Sequence, residues 1–365
     1  MPTSNLHGLA HAGVSVWCDQ ISREMLDTGE LARLIADDAV TGVTSNPTIF
    51  AGAIVGSNDY ADQIAELTAG GASTEEVVKS LMATDITRAC DILAPVHAAT
   101  EGKDGFVSVE VSPTLAADTD ATVVEAHEWT KQIDRPNLLV KVPATPEGIP
   151  AVRRLIGSGV SVNVTLIFSL QRYEEVIDAY LGGLEDLIEM EGNPSRVASV
   201  ASFFVSRFDT EVDRRLDAIG TPEAEALKGK TAVANARAAY GVFLDHFEGP
   251  RYQRLAAKGA RPQRPLWAST STKNPAYSDL LYVENLVASN TVNTMPLKTI
   301  AAYQDHGDPN PRSFDFDEID EARATLGQLE ELGISYDEVV ETLERDGVHK
   351  FAASWNELLE AVARS

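Results

Sequence analysis

Short runs of apolar and β-branched residues recur along the chain, and each is followed by a stretch with apolar positions at helical spacing. Eight such runs predict strands: Val14–Asp19, Ala39–Thr44, Gly105–Val111, Leu138–Val142, Ser161–Thr165, Val197–Phe204, Pro265–Ser269 and Thr291–Thr294. Among the intervening helices, Thr119–Ile133 carries Val123, Val124, His127 and Trp129, while Leu170–Met190 carries Tyr173, Val176, Ile177, Tyr180, Leu184 and Leu187 at helical spacing. Ser22, Asn46-Pro47 and Ser169 mark helix starts, with Pro47 at a first helical position. Strand–helix alternation of this kind implies parallel pairing through helical crossovers. Eight strands suit a closed barrel, whereas six or seven would suit an open doubly wound sheet. The expected fold is α/β: a single (β/α)8 TIM barrel with additional helices.

Some segments exceed a minimal unit. Ser57–Ala99 reads as two helices inserted before the third strand, and Asp209–Ala257 as a long helical excursion before the seventh. Glu318–Ser365 reads as a helical tail, with Leu326, Leu329, Leu332, Val339, Leu343, Phe351 and Trp355 available to pack it onto the barrel wall, and with covering the pocket or a subunit contact equally open. No Gly- or Pro-rich linker, internal repeat or low-complexity tract divides residues 1–365, so one domain with helical additions is the expectation.

Candidate chemistry shows where polar residues stand in strands that should be apolar. Alternate strand residues share a face. Lys141, in NLLVKVPAT (Asn137–Thr145), shares one with Leu139 while Val140 and Val142 point the other way. In the fifth strand Ser161, Asn163 and Thr165 share a face, and in the third Ser108 and Glu110 alternate with valines. The first strand ends in Asp19, and the second runs through Thr44 to Asn46. In a (β/α)8 barrel the helix-facing side is apolar, so these groups point inward, at the end where active sites lie. A lysine held in apolar surroundings loses hydration, which favours the neutral amine that attacks carbonyls to form Schiff bases. Two blander readings stay open: a lysine on an edge strand with its head in water, and a structural Lys–Glu ion pair. A helix-cap role accounts well for Ser45 or Asn46 but poorly for Glu110 and Lys141, which need a buried partner.

Composition narrows the field. The net charge of −25 over 365 residues argues against non-specific nucleic-acid binding and against docking to anionic membranes. Any anion site must therefore be built locally from a few cations. Two cysteines, Cys18 and Cys90, provide neither a disulfide framework nor a metal motif, and the seven histidines form no ligand pair. The N-terminal MPTSNLHGLAHAG lacks signal-peptide features, and no apolar run is long enough for a bilayer, so a cytoplasmic protein is expected. Nucleotide-binding glycine motifs, the nucleophile-elbow pattern and metal-ligand spacings are missing, and no cofactor or metal is expected.

VTSNPTIF, LLVKVPATPEGI, VNVTLIFS and LWASTSTKNPAYSDLLYVE, in this order, resemble transaldolases of the actinobacterial or cyanobacterial-like branch, over nearly the whole chain from Trp17 to the tail. The resemblance implies a cofactor-free (β/α)8 enzyme of the non-oxidative pentose phosphate pathway. Such an enzyme moves a dihydroxyacetone unit from sedoheptulose 7-phosphate to glyceraldehyde 3-phosphate, giving erythrose 4-phosphate and fructose 6-phosphate. It further implies Lys141 as Schiff-base nucleophile and Asp19 as the group exchanging a proton with the C4 hydroxyl. Glu110, with Thr165 and a bound water, would handle protons during dehydration. Thr44, Asn46 and Asn163 would line the pocket for the three-carbon unit, and Ser202 and Arg207 would hold phosphate. Shorter relatives place an arginine after the seventh strand. Here the candidate cation is Lys273, which offers a point charge but no bidentate fork. For Arg207 the competing reading is a surface ion pair with Asp209 or Glu211, and for Lys273 a solvated loop residue. Competing functions are a Schiff-base aldolase releasing free dihydroxyacetone and a non-catalytic sugar-phosphate-binding protein, as monomer or homodimer.

Overall fold

The computed structural model describes residues 4–55 and 57–364; Met1–Thr3, Gly56 and Ser365, the last residue of the expected tail, lie outside them. Eight parallel strands close into a barrel in sequence order: β1 (Val14–Cys18), β2 (Val40–Val43), β3 (Phe106–Glu110), β4 (Leu138–Pro143), β5 (Val162–Ile167), β6 (Ser199–Phe204), β7 (Arg264–Ala268) and β8 (Thr291–Met295). β1 pairs with both β2 and β8, and Val14 lies opposite Thr291. All eight expected strands are present, their ends displaced by at most two residues.

Local sequence fixes the crossovers. Ser22, Asn46 and Ser169 each accept a backbone N–H of the helix they precede, from Met25, Ile49 and Arg172 respectively. The helices Thr119–Ile133 and Leu170–Glu189 lie where periodicity places them. Two helices, Ala61–Ala69 and Thr74–Ala99, occupy the segment before β3, and four, beginning with Ser206–Ile219, precede β7.

The two parts of the tail take different places. Phe316–Glu331 does lie on the wall, against Thr231–Phe247. The terminal helix Tyr336–Arg364 packs on Pro47–Ile54, Thr74–Ala99 and Ser206–Ile219 and touches β5, so it crosses the C-terminal mouth of the barrel, the pocket-covering alternative. Its buried residues, among them Val339, Leu343, Gly347, Phe351, Trp355 and Leu358, recur every three or four positions as one stripe. Gly347 permits the close approach: a Cβ there would stand 3.0 Å from Leu166 Cδ2. At its start, Tyr336 donates its hydroxyl hydrogen to the buried Asn235 Oδ1 (2.7 Å) and accepts from Leu170 N (3.1 Å).

Candidate active site

Register brings the inner polar residues into one row. Glu110 lies opposite Lys141, and Lys141 opposite Asn163, across β3, β4 and β5. Lys141 is 4% exposed, and its Nζ donates to the Ser45 carbonyl at 2.9 Å. Glu110 Oε2 stands 3.6 Å from that Nζ, an ion-pair distance without a hydrogen bond. The lysine head is therefore inside the barrel, which removes the edge-strand reading. A purely structural ion pair also fits poorly, because Glu110 Oε2 is buried with no hydrogen-bond partner.

Burial pushes the Glu110 carboxyl up to about 7; the Lys141 ammonium opposes this, and the Asp19 charge adds to it. Acid and carboxylate forms of Glu110 are therefore both populated near neutral pH, as a group that donates and then removes a proton requires.

The neighbouring groups divide by how fully they are satisfied. Asp19, half-buried just past β1, accepts from Thr44 Oγ1 at 2.6 Å, and Thr44 lies 2.6 Å from Thr294 Oγ1. Asn163 donates to Ser108 Oγ (3.0 Å) and accepts from Ser202 Oγ (2.7 Å). Asn46 caps its helix through Oδ1, leaving its amide N–H donors for a ligand. Thr165 Oγ1, by contrast, is buried without a partner. The chain turns sharply just beyond it, with Leu166 at φ 61 and the β5–β6 register shifting between Val164 and Ile167. Glu110 Oε2 and Thr165 Oγ1 are thus two buried atoms without hydrogen-bond partners on inward-facing strand positions, where a water or a substrate hydroxyl would complete the bonding.

Arg207 is not in the surface ion pair that its sequence neighbours suggested. Asp209 is taken up by Thr231, Ala232 N and Tyr282, and Glu211 by Arg214 and Arg215. The Arg207 guanidinium lies over the Phe204 ring at 5.1 Å and the Phe351 ring at 5.9 Å, and its Nη1 is buried with no hydrogen-bond partner. Desolvation lowers its pKa, and the Asp19 and Glu110 carboxylates counteract that. A buried guanidinium edge with no carboxylate of its own is suited to an anionic ligand. Ser202, expected with Arg207 at the phosphate, lies inside β6 and donates its hydroxyl to Asn163 Oδ1, so it lines the barrel beside the three-carbon pocket. Lys273 stands exposed on the segment after β7 and donates to Ser271 Oγ at 2.7 Å. Partial desolvation and the Arg207 charge nearby hold its pKa below the ordinary lysine value.

Sequence reasoning missed four contributors: the Ser45 carbonyl that holds Lys141, Thr294 beside Thr44, Phe351 over Arg207, and Lys298, a second exposed cation electrically coupled to Lys273. Trp17 and Trp267 are fully buried packing residues, donating to Asp104 and to the Leu286 carbonyl. Among the described residues no group of three or more His, Cys, Asp or Glu is placed to hold a metal ion, and no helix is long and apolar enough to cross a membrane.

Known proteins resemble this chain over almost its whole length. The Transaldolase/Fructose-6-phosphate aldolase family profile matches residues 16–362. A protein named Transaldolase from Acidothermus cellulolyticus is 56% identical over 366 residues, covering 100% of this chain and 97% of its own. Proteins of the same name from Thermobifida fusca and Saccharopolyspora erythraea are 53% and 51% identical, over 99% and 98% of this chain and 98% and 97% of their own.

Proposed function

The chain belongs to the transaldolase/fructose-6-phosphate aldolase family, and from that premise we propose that it is a transaldolase acting on soluble sugar phosphates in the cytoplasm. It transfers a dihydroxyacetone unit from sedoheptulose 7-phosphate to glyceraldehyde 3-phosphate through a Schiff base on Lys141. The observation that carries this reading is the buried Lys141 amine, held by the Ser45 carbonyl and in register with Glu110 and Asn163 at the functional end of the barrel.

The amine adds to the ketose carbonyl, giving a carbinolamine. Glu110, with its proton near pH 7, delivers it to the departing hydroxyl, and water leaves. A water bridging Glu110 and Thr165 suits that relay. The iminium so formed is an electron sink. Asp19 then takes the C4 hydroxyl proton, the C3–C4 bond breaks, an aldose departs, and its electron pair remains as an enamine on Lys141. Asn46 and Asn163 hold hydroxyls of the retained unit, and Thr44 keeps Asp19 oriented. Arg207 takes the phosphate, with Lys273 at the outer edge. An acceptor aldose enters, the enamine carbon attacks it, Asp19 returns the proton, and hydrolysis frees the amine.

The terminal helix over the mouth supports transfer rather than simple aldol cleavage, since it limits water around the enamine. The test is borohydride reduction in the presence of fructose 6-phosphate, with peptide mass mapping. A reduced three-carbon adduct on the Lys141 peptide is expected, absent from Lys141→Ala. No adduct would reduce the site to a binding pocket. Release of free dihydroxyacetone at the same rate with and without an acceptor aldose would make the protein an aldolase.

A further inference from the structure

The cleft at the opposite, N-terminal end of the barrel takes no part in this chemistry, and its charge runs against that of the whole molecule. Loops entering β3, β4, β5, β6 and β7 line a cavity of about 550 Å³, which continues past Phe106 and Arg261 into a lobe of about 330 Å³. The chain carries −25, yet the two lobes are lined by Lys103, Arg135, Arg196, Arg261 and Arg264 against a single carboxylate residue, Glu101. Two of these cations are neutralised: Arg135 forks onto Asp91 at 2.6 and 3.2 Å, and Arg264 lies 3.6 Å from Asp104. Lys103, Arg196 and Arg261 have no carboxylate within ion-pair distance among the described residues.

The site is shaped as well as charged. Arg261 donates through Nη2 to the Glu101 carbonyl, which fixes its guanidinium over Gly102. Gly102, at φ +75, is what admits it: a Cβ there would stand 3.1 Å from Arg261 Nη1 and 3.3 Å from His97 Cε1. His97 has Nδ1 3.0 Å from the Asp104 carbonyl, which leaves Nε2 available, and its ring meets Phe106 edge-on at 5.0 Å. Beneath the cations the lining is apolar, with Phe106, Leu138, Val160 and Val197.

We propose that this cleft is a second ligand site, binding an organic phosphate of the nucleotide class. Its phosphates would lie on Arg196 and Arg261, and its flat ring on the apolar floor around Phe106 and Val160. Guanidinium forks match phosphate geometry, and the cavity lies within the roughly 300–1,000 Å³ usual for small-molecule sites. Clustered cations without carboxylate partners repel one another until an anion arrives. This inference does not depend on the Lys141 chemistry.

Equilibrium dialysis of the full chain against labelled ADP tests it, with unlabelled inorganic phosphate and fructose 6-phosphate as competitors. One ADP per chain is expected. Binding should fall roughly 10- to 100-fold in Arg196→Ala/Arg261→Ala, the loss expected for a charged hydrogen-bonded contact. It should also weaken in Arg196→Glu, an exposed position whose change spares the fold, persist in Arg207→Ala and resist saturating fructose 6-phosphate. No ADP retention at millimolar concentration would overturn the site, as would retention unchanged in both variants of the cleft. Displacement by fructose 6-phosphate would move the ligand to the catalytic end, and inorganic phosphate competing as well as ADP would remove the nucleotide assignment.

Discussion

The two ends of this barrel treat their buried charged groups differently, although two neutral amide oxygens at the N-terminal end, Asn137 Oδ1 and Gln263 Oε1, also lack partners. At the N-terminal end Arg264 plugs the bore, donating to Ser15 Oγ at 2.6 Å and to the Lys103 carbonyl at 2.9 Å. Its counter-ion Asp104 accepts from Trp17 Nε1 at 2.8 Å and from Thr41 Oγ1 at 2.9 Å. At the C-terminal end Glu110 Oε2, Thr165 Oγ1 and Arg207 Nη1 are buried without hydrogen-bond partners. A satisfied network stabilises the folded chain, whereas unsatisfied atoms raise its free energy until a ligand arrives. The division of labour is visible in bonding, not in residue type.

Substitutions at the two ends should therefore separate activity from stability. The largest effect is expected for Glu110→Gln, with kcat/KM reduced on the order of 10²–10⁴-fold, as for loss of a general acid–base group. In the native enzyme the acid-dependent step should slow as pH rises through about 7, and that limb should vanish in the variant. Stability carries its own signature. Because the folded pKa lies above 4.5, this group's contribution is complete below that value and fades as pH rises towards 7. Urea unfolding across that window should show a decline that Glu110→Gln lacks.

Next comes Arg264→Ala, which leaves Asp104 buried without its cation and should cost about 3 kcal/mol in urea unfolding. Turnover by the folded fraction should not change; a raised KM would mean the two ends are coupled. Arg207→Ala inverts that pattern. It should raise KM for phosphorylated substrates roughly 10- to 100-fold, the value of a charged hydrogen bond, with little loss of stability. A large drop in the unfolding midpoint would show that Arg207 is structural. The smallest effect belongs to Phe351→Leu, which keeps bulk but removes the ring facing Arg207. A change of about 0.5–1 kcal/mol is expected, read as a few-fold rise in KM for phosphorylated sugars.

The barrel was legible because its outer faces must be apolar: valines flanking Lys141 and Glu110 betrayed both the strands and the inward direction of the polar residues. Helix starts were legible because Ser22, Asn46 and Ser169 act within their own turn. The position of the terminal helix stayed open between wall, pocket cover and subunit contact for the converse reason. Its apolar stripe shows that a face is buried, but periodicity carries no information about which surface receives it. The closeness of Phe351 to Arg207, the Ser45 carbonyl on Lys141 and the freedom of Arg207 from Asp209 are all tertiary facts. So is the N-terminal cleft, whose cations come from separate loops between residues 103 and 264 and form no motif in one dimension. The two readings of Asn46 do not compete, because its oxygen caps the helix while its nitrogen takes no part in the cap.

The pairing of β1 with β8 has a consequence for biosynthesis. Val14 leaves the ribosome long before its partner Thr291, which follows only after the six intervening strands have been made. Until then one flank of the first strand has nothing to bond with, and the whole bore stays unsealed. Such late closure makes folding slow and leaves nascent chains prone to sticking together, so this protein should depend on chaperones during translation far more than its finished form suggests.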